Sequence, residues 1–147
     1  MNTNNTYIKK INDTNQSNWY IIDAKEKTLG RISTIIANIL RGKNTIDYTP
    51  NITNSIHIVV INSRFVRVTG KKTLQKLYKR HSGKPGSLKT ETFKDLQNRI
   101  PNRIIEKAVK GMLPKGALGR KLFTRLKVYE NTEHPHQAQK PNFIILN

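Results

Sequence analysis

A chain of 147 residues with 27 Lys and Arg against 9 Asp and Glu carries a formal net charge of +18. Such an excess repels itself in a compact state unless a polyanion screens it, so nucleic acid is the expected partner and an anionic membrane surface the second choice. The hydrophobic share of 35% supports one modest core, while the absence of cysteine excludes disulfide frameworks and thiolate metal sites.

Residues 1–18 are polar and poor in core-formers, and read as a flexible arm. They lack the apolar stretch of a secretory signal and the Arg/Ser-rich character of an import peptide, so the protein is expected to work where it is made. No apolar run in the chain approaches the roughly 20 residues that span a bilayer. The main domain is expected over residues 19–129. It opens with Trp19-Tyr20-Ile21-Ile22, an aromatic and β-branched run suited to a buried strand. Asp23 to Lys27 is a loop, and Thr28 is placed to cap a helix. Leu29, Ile32, Ile35, Ile36, Ile39 and Leu40 form its buried stripe, and Gly42 is a left-handed stop.

After Thr49-Pro50, Ile56 to Ile61 is nearly continuous apolar sequence, the mark of a strand buried on both faces. Phe65 to Val68 reads as a further extended run and Leu74 to His81 as another strand, with a loop over Ser82–Ser87. Thr92 with Asp95 has the spacing of a capping box before a helix that runs to about Arg99. Pro101 suits the first turn of the next helix, whose apolar face is Ile104, Ile105, Ala108, Val109 and Met112. Beyond the Pro114–Gly116 break, a last helix is expected from Ala117 to Leu126, with Arg120, Lys121 and Arg125 turned outward. Residues 130–147 lose periodicity and read as a tail, pinned by Phe143 to Leu146. Strand, helix, strand and then helices predict an α/β domain with helices on both sheet faces.

The candidate binding residues are cations in loops or on outward faces. They are Lys71 and Lys72; Lys79, Arg80, His81 and Lys84; Lys110, with Lys107 near it on the same outward helix face, and Lys115; and Arg120, Lys121, Arg125 and Lys127. Many adjoin a glycine (Gly70, Gly83, Gly86, Gly111, Gly116 or Gly119), where a missing side chain lets a phosphate backbone approach its Lys and Arg donors. His134 and His136 are added as tail donors to RNA. The spread of charge over many elements suits folded RNA better than a membrane, which favours a single amphipathic helix.

Other chemistries are weaker. Thr28-Leu29-Gly30-Arg31 opens a helix after a strand, the right place for a phosphate loop, but holds a single glycine. Gly70-Lys71-Lys72-Thr73 has Phe65 where a P-loop needs its first glycine. His134-Pro135-His136 lacks a third anchored ligand for a metal, and Ser82 beside His81 lacks the strand-turn-helix signature of a nucleophile. His57 reads as a satisfied core residue. No enzyme, no cofactor and no small-molecule substrate is expected.

Val109-Lys110-Gly111-Met112-Leu113-Pro114-Lys115-Gly116, then Leu118-Gly119-Arg120 and Leu126-Lys127-Val128-Tyr129, resemble the signature of the large-subunit ribosomal protein 13 family in its bacterial form. The likeness continues through Glu133-His134-Pro135-His136, Gln139 and Pro141. Upstream it takes in Trp19-Tyr20, Lys27 to Arg31, Leu40 to Lys43, Tyr48-Thr49-Pro50, Val68 to Lys72 and His81-Ser82-Gly83. It spans about residues 19–141; the arm before Trp19 and the final residues depart from it. The resemblance implies a three-layer α/β/α domain around a four-stranded, mainly parallel sheet. It also implies a seat on large-subunit rRNA, neighbouring large-subunit proteins as partners, and a part in early subunit assembly and translation. Heavy use of Ile, Asn and Lys fits an AT-rich genome. With the resemblance, it points to a ribosome in an algal plastid, with a bacterial cytoplasm as the alternative.

Overall fold

The computed structural model describes residues 17–46 and 48–145, so the expectation of a flexible arm falls largely outside the described residues. The elements in chain order are β1 (Asn18–Asp23), α1 (Leu29–Arg41), β2 (Ile56–Ile61), α2 (Lys72–Gln75), β3 (Leu77–Arg80) and β4 (Lys89–Thr92). There follow α3 (Phe93–Arg99), α4 (Asn102–Met112), α5 (Ala117–Phe123), β5 (Leu126–Val128) and β6 (Asn142–Ile144). β5, β2, β1 and β6 lie in that order in one parallel sheet. The fold is therefore α/β, a four-stranded parallel sheet flanked by helices.

Alternation along the strands sorts two clusters onto opposite sheet faces. Ile22, Ile56, Ile58, Val60, Leu126 and Val128 pack with the apolar sides of α1, α3, α4 and α5 into the main core. Ile21, Val59 and Ile61 form a smaller cluster on the other face, joined by Trp19 and Tyr129. With side chains buried on both its faces, β2 has the environment that its unbroken apolar run predicts. Each fully buried Ile, Val or Leu contributes about 1.5–3 kcal/mol relative to exposure.

The ends of α1 behave differently. Gly42 takes the left-handed conformation (φ 75°) and its N–H donates to the carbonyls of Asn38 and Ile39, closing the helix as predicted. At the start, Thr28 is extended but its side chain makes no cap hydrogen bond. The Arg67 carbonyl instead accepts from the Leu29 N–H at 2.8 Å, and Arg67 N–H donates to Lys27 at 3.0 Å. That pairing explains why Phe65 to Val68 is not a sheet strand. Left-handed Asn62 (φ 59°) turns the chain out of β2 into a 3-10 turn at Ser63–Phe65, and the next residues run beside the start of α1.

The stretch from Leu74 to His81, expected as one strand, is divided between α2 and β3. The partner strand β4 carries no signal in the sequence, because Lys-Thr-Glu-Thr has no apolar alternation. Thr92 does cap α3: its Oγ1 accepts from the Asp95 N–H at 3.3 Å and donates to the Asp95 carboxylate at 2.6 Å. The last helix ends at Phe123 rather than Leu126, and the carbonyl of Arg125 accepts from Ile58 N–H as the chain enters β5. The C-terminal segment contributes β6, which pairs with β1.

Candidate nucleic-acid interface

The largest group of predicted cations is carried by one exposed unit, α2 with the antiparallel β3–β4 hairpin. Lys71, Lys72, Lys79, Arg80, His81 and Lys84 are all exposed on it. The hairpin loop is held by its own polar groups. Ser87 Oγ donates to the Lys84 carbonyl at 2.6 Å and accepts from Ser82 N–H at 3.3 Å, while His81 Nδ1 accepts from Gly83 N–H at 2.9 Å. With Nδ1 engaged as an acceptor, neutral His81 carries its proton on Nε2 and is a donor there. Gly83 (φ 93°) and Gly86 (φ 72°) supply the left-handed turns that project Lys84. Leu74, Leu77 and Leu88 are also exposed on this unit.

A second group lies where α4 passes into α5. Lys110, Lys115, Arg120 and Lys121 are exposed, and a Cβ built on Gly111 or Gly116 would meet nothing within 4 Å. Backbone can approach closely at those two glycines. Gly119 serves another purpose. A Cβ there would run into the Pro114 carbonyl oxygen, so this glycine lets α5 pack on the preceding loop.

Arg125, Lys127, His134 and His136 gather on the smaller sheet face and its edge, and here the geometry corrects the sequence reading. Arg125 does not turn outward. It is half-buried, one Nη reaches Thr53 Oγ1 at 3.5 Å, and the other is buried without a partner. Burial holds it below the ordinary arginine value. Lys127 is exposed on β5.

The two tail imidazoles are drawn into packing. His136 Nε2 lies 2.9 Å from the Tyr129 hydroxyl, its ring is 5.0 Å from Trp19, and its backbone N–H donates to His134 Nδ1. His57 is half-buried and stacked on Trp19, but its Nδ1 has no hydrogen-bond partner, so it is not the satisfied core residue expected. Burial lowers the pKa of His57, aided by Arg125, Lys127 and His136; burial also lowers that of His136, aided by Lys127 and His134. Among the described residues no three His, Cys, Asp or Glu side chains converge as metal ligands.

Lys89, Arg99 and Arg103 are not among the candidates read from the sequence, yet the fold brings them together with Lys107 beside Arg80. A signal was present, since Arg99, Arg103 and Lys107 recur every four residues. Its use required knowing that β4 exists. The alternative phosphate site at Thr28–Arg31 gains little, because the Arg67 carbonyl already occupies the Leu29 N–H.

These features define a basic α/β protein whose exposed cations gather on units carried by one core. A family model described as Ribosomal protein L13 matches residues 17–135. The chain belongs to the ribosomal protein L13 family, whose members are structural and not enzymes. It is 66% identical over 130 residues to the large ribosomal subunit protein uL13c of Pyropia yezoensis, covering 88% of this chain and 92% of that one. With uL13c of Gracilaria tenuistipitata var. liui it shares 57% identity over 141 residues, 96% of this chain and 97% of the other. With uL13 of Thermosynechococcus vestitus it shares 62% over 129 residues, 88% and 85% of the two chains.

Proposed function

We propose that this chain is a structural constituent of the large ribosomal subunit that binds large-subunit rRNA and supports early subunit assembly and translation. The observation that carries the reading is the concentration of exposed cations on two units that project from one rigid core. Lys71, Lys72, Lys79, Arg80, His81 and Lys84 stand on the hairpin unit, and Lys110, Lys115, Arg120 and Lys121 on the turn from α4 to α5. Arg125, Lys127, His134 and His136 add a third, less exposed contact region. Contacts of this kind fix register on phosphates, and specificity comes from fitting the shape of folded RNA. Other large-subunit proteins are its neighbours.

The organelle belongs to the same proposal. The protein works on the ribosome of an algal plastid, a reading supported by its Ile-, Asn- and Lys-rich composition and by its 66% identity to the Pyropia yezoensis protein. The binding test is salt dependence. Affinity for transcribed large-subunit rRNA should fall with salt by a log–log slope of roughly 0.7–0.9 per phosphate neutralised. A flat response would overturn the RNA reading.

A further inference from the structure

We propose that the inner face of the β3–β4 hairpin, closed by α3 and α4, is a pocket for a single phosphate group of an RNA backbone. The proposal rests on the RNA-binding reading and gives it one built site. The hairpin register sets Tyr78 opposite Glu91 and Arg80 opposite Lys89. Alternate residues of a strand share a face, so these four side chains stand on the same side. That side meets Arg99 of α3 and Arg103 and Lys107 of α4 around a cavity of about 180 Å³.

The charges of this cavity do not balance. Its one carboxylate, Glu91, is taken by Arg99, whose Nη2 donates to both oxygens at 2.7 Å. Arg80, Lys89, Arg103 and Lys107 then have no carboxylate partner among the described residues. Arg80 and Lys89 also face each other directly across the strands, a like-charged pairing that is unfavourable until an anion sits between them. Arginine forks match phosphate oxygens in both geometry and charge.

The tyrosine supplies an independent observation. Its hydroxyl is buried and has no hydrogen-bond partner, a state that costs free energy unless a ligand accepts a hydrogen bond from it. Burial pushes its pKa up, so it stays a donor at neutral pH. The Lys76 and Lys107 ammonium groups lie 5.6 and 5.1 Å from the centroid of its ring. An anion with several acceptor oxygens answers the surplus charge, and a small shift of the tyrosine brings the orphaned hydroxyl within its reach.

Two variants of the full chain, titrated with transcribed large-subunit rRNA over a range of salt, test the site. Tyr78→Phe keeps the ring, its cation contacts and its packing on Phe93, and removes only the hydroxyl. It should weaken binding roughly ten-fold, as loss of one hydrogen bond to a charged group does, with the salt slope unchanged. Arg103→Gln with Lys107→Gln should lower the slope by roughly 0.7–0.9, one phosphate's worth. A slope lowered by about twice that, or not at all, overturns the single-phosphate pocket, as does unchanged affinity in Tyr78→Phe. Should the double variant fail to fold, Tyr78→Phe decides alone. If wild type binds with a steep salt response and Tyr78→Phe matches it, only the pocket is lost; if wild-type binding ignores salt, the RNA reading fails first.

A titration of the wild-type Arg99 and Arg103 Nε–H NMR signals separates the sources of phosphate. Saturable shifts with inorganic phosphate alone mean that the pocket accepts the free anion as well as RNA. Shifts with rRNA alone mean that it requires the polymer. Absence of shifts with either overturns the proposal.

Discussion

The indole of Trp19 lies flat on the imidazole of His57, with ring centroids 4.4 Å apart and 11° between the planes. The strand register explains the contact: Trp19 and His57 are direct partners across β1 and β2, on the sheet face away from the main core. The imidazole faces Arg125, Lys127 and His136, and burial with those positive groups disfavours its protonation.

That relationship predicts an acid-sensitive fold. His57 and His136 are both lowered in the folded chain, so below about pH 6.5 the unfolded chain binds protons first and stability falls as pH drops. The thermal midpoint should decline from about pH 7.5 to about pH 5.5, and His57→Gln should flatten the decline. A midpoint independent of pH over that window would contradict the stacking account.

Two glycines should respond in opposite directions to alanine. Gly119→Ala drives a Cβ into the Pro114 carbonyl, a backbone atom that cannot swing aside, and should cost about 1–3 kcal/mol in a urea titration. Gly111→Ala meets open space inside α4 and should stabilise by roughly 0.5–1 kcal/mol. The same Gly111→Ala change should weaken rRNA binding, because it puts a methyl group where backbone would approach.

Phe93 ties the basic hairpin to the core. It is fully buried in the main cluster, opens α3 directly after β4, and lies near Tyr78. Phe93→Ala should lower stability by about 3–5 kcal/mol by chemical denaturation. A smaller loss would mean that the hairpin is only loosely docked.

Replacing Lys110, Lys115, Arg120 and Lys121 together by Ala should lower rRNA affinity and reduce its salt slope while the far-UV circular dichroism stays unchanged. These side chains are exposed, so truncation opens no cavity. A collapsed spectrum would assign them a structural task instead.

Where local chemistry decides the structure, the residues announce it. The Leu29–Leu40 stripe, the Gly42 stop, the Thr92–Asp95 cap and the continuous run of β2 each follow from short-range rules, and each stands in the fold. Tertiary contacts decide the rest. Lys89 to Thr92 is a strand only because Leu77 to Arg80 lies beside it. Leu126 leaves its helical spacing because β2 offers an open edge, and Arg125 is carried inward with it. His134 and His136 are distant in sequence from Trp19, so nothing local places His136 beside it. The cations of the hairpin unit were legible from composition and turns, whereas the pocket around Tyr78 required four separate elements to meet.

Sedimentation of an organelle lysate through a density gradient, probed for this chain, tests the central claim most directly. The account predicts co-migration with the large ribosomal subunit, and release from it when the rRNA is digested. Recovery of the chain at the top of the gradient, free of subunits under low-salt conditions, would contradict it.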